Sequence, residues 1–210
     1  RRNPPLRKGR GGILDAGPGE SSYLRYDARI ADQAEDWLAA HANDEQPWVL
    51  FCSFVNPHPP FTAPPELYGR YPADELPLPP QWQQDDWPEH PALDFLRRYF
   101  GWEDGFSASE IRKAIATYYA MTTYVDQKVG QVLDALERNG LTGSTRIIYT
   151  TDHGAMMGAH GLWGKFTMYQ ESAAIPLILA GPDVSPGKVV KTPVSLVDCY
   201  PSILAAVGVE

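Results

Sequence analysis

Residues 146–166 read Arg146-Ile-Ile-Tyr-Thr-Thr-Asp152-His153-Gly154-Ala-Met-Met-Gly158-Ala-His160-Gly161-Leu-Trp-Gly164-Lys165-Phe166, and the change of character at Asp152 decides how the rest of the chain is read. Ile147, Ile148, Tyr149 and Thr150 form a β-branched and aromatic run that predicts a short buried strand. Asp152 and His153 stand at its carboxyl end, where the loops leaving an open α/β sheet form a ligand crevice. The glycines at 154, 158, 161 and 164 let the backbone turn repeatedly and approach a ligand closely before it delivers Lys165. A carboxylate and a neutral imidazole both bind divalent cations, and a lysine ammonium is a point charge suited to a sulfate or phosphate oxygen. A lone Asp-His-Gly is an ordinary turn, so the weight rests on the whole stretch.

Outward from that stretch the same pattern recurs. Residues 48–55, Trp48-Val-Leu-Phe-Cys-Ser-Phe-Val55, are nearly continuously apolar and of strand length, which predicts a central parallel strand. Asn56-Pro57-His58-Pro59-Pro60-Phe61 follows, placing a second polar group at a strand's end, with three prolines restricting the backbone around His58. Ser107-Ala-Ser-Glu110 is a capping box that opens a long helix, whose stripe runs through Ile111, Ile115, Tyr118, Val125, Val132 and Leu136 to a stop at Asn139-Gly140. A helix is also predicted over 27–40, with Ile30, Ala34, Trp37 and Leu38 on its inner face, and residues 1–25 read as loop. Residues 175–181 read as a strand and 198–207 as a final helix with Pro201 in its first turn. Between them, 63–106 is rich in Pro, Trp and acidic residues without a long apolar period, and reads as a loop-rich insertion. Asp85 and Asp86 within it are read as solvated, and Trp82, Trp87 and Trp102 as ordinary packing residues.

The segments Thr-Thr-Asp152-His153-Gly and Met-Met-Gly-Ala-His160-Gly-Leu-Trp-Gly-Lys165 together resemble the second signature region of the type I sulfatases, in the alkaline phosphatase superfamily. The likeness is to the choline-sulfatase and phosphonate-monoesterase branch, where Asp-His stands in place of Asp-Asn. The run Asn56-Pro57-His58-x-Pro60-Phe61 resembles the same family at a His that contacts the sulfate ester. The resemblance implies an α/β fold with a mostly parallel sheet sandwiched by helices, alkaline-phosphatase-like and lacking its amino-terminal part. It implies Asp152 and His153 as metal ligands, Lys165 as a contact to a sulfate oxygen, and His58 as a contact to the ester oxygen that protonates the leaving group. The implied metal is calcium foremost, with manganese or zinc favoured by the borderline nitrogen of His153. His160 is read as a packing or hydrogen-bonding residue. Members of the family take two further metal carboxylates and a formylglycine nucleophile from a segment upstream, so the 210 residues are expected to be the carboxyl-side part of a catalytic domain and inactive alone. Cys199-Tyr200-Pro201-Ser202 matches the first four positions of the family's Cys-x-Pro-Ser-Arg nucleophile motif, but Ile203 replaces the Arg, and Cys199 is read as core.

Composition limits the partners. A net charge of −8 over 210 residues disfavours a nucleic-acid backbone. No apolar run approaches the roughly 20 residues that span a bilayer. Two cysteines make no disulfide framework and fit a reducing compartment, which favours the cytoplasm, although the chain starts at Arg1 without an initiator Met and leaves location open. The leading expectation is hydrolysis of a small-molecule or carbohydrate sulfate ester. Beside it stand a phosphonate monoester or phosphodiester hydrolase using the same groups, and a scaffold that keeps the fold without the nucleophile.

Overall fold

The computed structural model describes residues 9–209. The basic residues Arg1, Arg2, Arg7 and Lys8 lie outside them. The described chain runs α1 (Arg10–Leu14), β1 (Gly17–Pro18), α2 (Ser22–Ala40), β2 (Thr62–Ala63), α3 (Pro65–Tyr68), α4 (Pro91–Phe100), α5 (Ala108–Arg138), β3 (Ile147–Thr150), α6 (Gln170–Ala173), β4 (Leu177–Ala180) and α7 (Cys199–Ala206), with short 3-10 turns between.

The axis of the fold is α5. Its start is fixed by the capping box read from the sequence: the Ser107 hydroxyl accepts from Glu110 N–H at 3.3 Å, and the Glu110 carboxylate accepts from Ser107 N–H at 2.6 Å. Its end is fixed by Gly140, which takes the left-handed conformation (φ 69°) after Asn139. Ile111, Ala114, Ile115, Ala120 and Met121 form its buried face and join Ile13, Phe61, Leu67, Phe100, Trp102, Leu162 and Trp163 in the main core. Toward its carboxyl end Ala135 and Leu136 pack with Leu38 and Leu141 in a second cluster. Helix α2 lies along α5, bridged on its polar face by Gln131 to Asp32 and Glu35, and by Arg138 to Glu35.

Several sequence expectations are corrected. Residues 1–25 are not all loop, since α1, β1 and the first turn of α2 fall within them. The buried face of α2 is Leu24, Asp27, Ala31, Ala34 and Leu38: Ala34 and Leu38 of the expected stripe are buried, whereas Ile30 and Trp37 are only half-buried. The sheet is not mostly parallel: β1 and β2 make a two-residue parallel pair, and β3 pairs antiparallel with β4, Ile147 opposite Ala180 and Thr150 opposite Leu177. A parallel return needs a crossover the length of the sheet, and residues 151–176 hold only a 3-10 turn and the four-residue α6. Strand β3 is half-exposed rather than buried.

Residues 48–55 make no ladder among the described residues, and Phe51 is 86% exposed. Apolar composition gives that run strand character, but a strand exists only where a neighbour supplies donors and acceptors. The segment 63–106 is less loose than read: it carries α3 and α4, and Leu67, Phe100 and Trp102 are buried in the main core. Cys199 is only half-buried, α7 buries no residue, and both cysteines are free. Among the described residues no helix is long and apolar enough to cross a membrane.

Candidate functional site

The loop after β3 is held by what it buries. Met156, Leu162 and Trp163 enter the core at 3% exposure or less, while Asp152 and Lys165 at the two ends of the loop stay exposed. Met156 N–H donates to the Gly164 carbonyl at 2.8 Å, so the loop closes on itself just before Lys165. Gly154 N–H donates to the Ser172 carbonyl at 2.8 Å, and a Cβ on Gly154 would lie 2.1 Å from the Glu171 carbonyl oxygen. Only glycine allows the backbone beside His153 to dock so closely on α6.

Asp152, His153 and Lys165 are brought together. His153 Nε2 lies 3.3 Å from Asp152 Oδ2 and 2.5 Å from Lys165 Nζ. His153 Nδ1 is 2.8 Å from the Gly154 carbonyl, which can only accept, so Nδ1 carries the proton. An ammonium can only donate, so Nε2 presents its lone pair to Lys165. Nε2 and the Asp152 carboxylate therefore form two converging donors for a cation, with the imidazole fixed from behind by a backbone carbonyl, as metal-ligating histidines commonly are. Among the described residues no group of three or more His, Cys, Asp or Glu gathers closely enough to hold a metal. The donor chemistry fits one side of a divalent metal site.

His58 lies on the other loop. Its Nδ1 donates to the Pro59 carbonyl at 2.7 Å and its ring meets Tyr23 edge-on at 6.0 Å. The imidazole is exposed, and no hydrogen bond or ion pair joins it to Asp152, His153 or Lys165 among the described residues. What holds this loop is Asp27, completely buried on α2. Its carboxylate accepts from Val55 N–H at 2.8 Å, from Asn56 N–H at 2.9 Å and from the Asn56 side-chain amide at 2.6 Å. Nearby, burial first and then the carboxylates of Asp27, Glu20 and Asp32 raise the Tyr124 phenol above its ordinary pKa, and its hydroxyl donates to the Leu24 carbonyl.

Asp27 was missed by the sequence reading, yet it carried a signal. It falls at helical spacing with Leu24, Ala31, Ala34 and Leu38, and a charge on an apolar stripe must have dedicated partners. Arg97, also buried, was missed too: it donates to the His160 carbonyl at 2.8 Å, pairs with Asp94 at 2.9 Å and stacks over the Trp87 ring. Trp82, read as packing, lies against the main core.

One glycine-rich loop of this α/β chain thus brings a carboxylate, an imidazole and an ammonium to one point. Residues 4–209 match the family described as Sulfatase. A choline-sulfatase of Rhizobium meliloti (strain 1021) is 31% identical over 211 residues, covering 95% of this chain and 40% of that protein. Arylsulfatase K of Xenopus laevis is 32% identical over 206 residues, covering 91% of this chain and 38% of that protein. Among solved structures, a phosphonate monoester hydrolase from Silicibacter pomeroyi superposes with a TM-score of 0.79 at 29% identity, over 95% of this chain and 43% of that one. The chain belongs to the sulfatase family, within the alkaline phosphatase superfamily. It spans about two fifths of the length of the curated relatives it matches.

Proposed function

We propose that the native protein carrying this chain hydrolyses sulfate monoesters of small molecules or carbohydrates, and that these residues supply one side of its metal and anion site. The observation that carries the reading is the shared point at His153 Nε2, with Asp152 Oδ2 at 3.3 Å and Lys165 Nζ at 2.5 Å. Asp152 and His153 would hold a divalent metal, calcium foremost and manganese or zinc with the nitrogen ligand. When bound, the metal would offset the charge of the sulfate group and the charge that develops as the ester is attacked.

The chain's own residues divide the remaining work. Lys165 turns from His153 to a nonbridging sulfate oxygen, where its ammonium offsets the repulsion between an anionic ester and an anionic nucleophile. The Gly154 carbonyl keeps the His153 proton on Nδ1, so Nε2 remains a donor toward the metal. His58, as imidazolium, keeps its Nδ1 proton on the Pro59 carbonyl and passes the Nε2 proton to the departing alkoxide or phenoxide. The nucleophile, a formylglycine in this reading, and two further metal carboxylates come from a part of the native protein other than residues 1–210. The 210-residue chain alone is accordingly inactive.

A phosphonate monoester hydrolase is the second reading, favoured by the TM-score of 0.79 to a protein of that activity. Sulfate and phosphonate are both tetrahedral anions, and the same lysine and metal would serve either. The deciding experiment compares kcat/KM of the native protein on 4-nitrophenyl sulfate and on a matched 4-nitrophenyl phosphonate, with Lys165→Ala and Asp152→Asn alongside. Preference for the sulfate, with about 10²-fold or greater loss in each variant, supports the proposal. Preference for the phosphonate supports the second reading. Turnover of neither ester by metal-replete protein leaves a scaffold, and turnover by residues 1–210 alone refutes the division of the site.

A further inference from the structure

The insertion and the glycine loop meet at one imidazole outside the group just described. We propose that His160 is a positioning residue, whose ring clamps the loop in the conformation that brings Lys165 to His153. The inference rests on the reading of residues 152–165 as the anion-binding loop.

His160 is gripped on every side. Its Nδ1 is 2.7 Å from Gln81 Oε1, an acceptor, so the ring donates there. The ring stacks on Tyr169 with centroids 4.2 Å apart and planes 20° from parallel. Nε2 lies 3.8 Å from the Glu171 carboxylate, and only 13% of the side chain is exposed. The backbone is held as well: His160 N–H donates to the Pro80 carbonyl at 3.0 Å, and its own carbonyl accepts from Arg97 at 2.8 Å. The insertion thus takes the ring through Gln81 and the main chain through Pro80 and Arg97.

The remaining partners lead to the site. Tyr169 and Glu171 belong to the segment whose carbonyls cradle Gly154, the residue after His153. On the other arm, Leu162 and Gly164 close the loop onto Gly158 and Met156, just ahead of Lys165. The backbone carries strain at this junction. Gln81 (φ 47°), Met157 (φ 45°) and His160 (φ 57°) occupy the left-handed region, three of the four non-glycine residues that do so among those described. Such conformations persist only where the surroundings over-determine them, and they gather where geometry is used.

The test uses the native protein. His160→Gly removes the ring and suits the backbone, since φ 57° is relaxed for glycine. His160→Gln restores a donor to Gln81. The expected result for His160→Gly is a fall in kcat on 4-nitrophenyl sulfate on the order of 10²-fold, the scale of an ångström-level misplacement. Exogenous imidazole should restore part of it saturably, and His160→Gln should retain most of it. Amide hydrogen exchange without substrate gives a second readout: protection should fall across 154–165 and hold in α5. Unchanged kcat in His160→Gly, or a loss that neither imidazole nor His160→Gln reverses, overturns the inference. If the wild-type protein cleaves neither sulfate nor phosphonate, the functional reading falls, and exchange alone decides: protection in His160→Gly equal to wild type at 154–165 overturns the positioning role, and a loss confined there upholds it.

Discussion

The two loops that carry the candidate site are braced in opposite ways. The His58 loop is anchored at its two ends, by the buried Asp27 carboxylate, which takes up two main-chain N–H groups and one side-chain amide, and by Phe61 in the main core. The glycine loop is held from many sides, by Met156, Leu162 and Trp163 in the core, by Pro80, Gln81 and Arg97 across from it, and by α6 beneath Gly154. Anchors at the ends of a loop localise it without enclosing the ring it presents, and His58 is exposed. Distributed contacts fix side-chain geometry, and the imidazole and ammonium of the second loop meet at 2.5 Å. The difference matches the tasks proposed: a proton donor has to reach a departing group, whereas cation ligands and an anion contact must already be in place.

Removing the Asp27 anchor should have the largest effect. Asp27→Ala leaves the N–H groups of Val55 and Asn56 without their acceptor in a dry position, at about 1–3 kcal/mol each, so a loss on the order of 3 kcal/mol or more is expected in denaturant unfolding. Amide exchange in that variant should rise at 55–58 and stay unchanged at 154–165; a rise in both would mean that the loops form one unit and would break the contrast. Next in size is Gly161→Ala. Its Cβ would fall 2.1 Å from the Trp87 ring at a φ of 68°, which should cost about 2 kcal/mol through strain and displaced packing. Its exchange should rise in the glycine loop and spare 55–58.

Ser107→Ala should cost about 1 kcal/mol by uncapping α5, with neither loop affected. Hydrogen bonds from the Ser107 backbone, then from its hydroxyl, hold the Glu110 carboxyl below its ordinary pKa. A depressed carboxyl contributes stability that is present above its unfolded value and lost as pH falls through the folded one. Wild type should therefore lose this contribution on the acid side of the usual carboxylate range, and Ser107→Ala should show a shallower acid limb in thermal melts against pH. The smallest effect is kinetic. Burial pushes the Cys52 thiol above its ordinary pKa, so alkylation by iodoacetamide should be slower than for a free cysteine and should reach its midpoint at higher pH. Because Cys52 lies just ahead of the tethered loop, Asp27→Ala should speed that reaction and Gly161→Ala should not.

Much of this was legible because it is local. The Ser107–Glu110 box, the glycine stop of α5, the strand over 177–180 and the final helix each depend on residues a few positions apart, and each forms as expected. The meeting of Asp152, His153 and Lys165 was also foreshadowed, since one short loop carries all three. What could not be read is non-local. Whether residues 48–55 join a ladder depends on a neighbouring strand, and whether β4 returns parallel or antiparallel depends on the path taken by 151–176. On α2 the expected stripe held at Ala34 and Leu38 but passed over Asp27, the buried charge among its apolar neighbours. Its burial makes sense only beside Val55 and Asn56, 28 and 29 positions away.

The exposed apolar side chains of residues 48–55 and 177–200 set how the isolated chain behaves in water. Phe51, Val189, Val197 and Tyr200 are each more than 70% exposed, on a polypeptide of net charge −8. At low ionic strength that charge keeps copies apart; at about 1 M salt the Debye length shrinks to about 3 Å and the repulsion no longer reaches between molecules. Sulfate salts also strengthen apolar association, so the 210-residue chain should stay dispersed in dilute buffer and cluster reversibly as ammonium sulfate is raised.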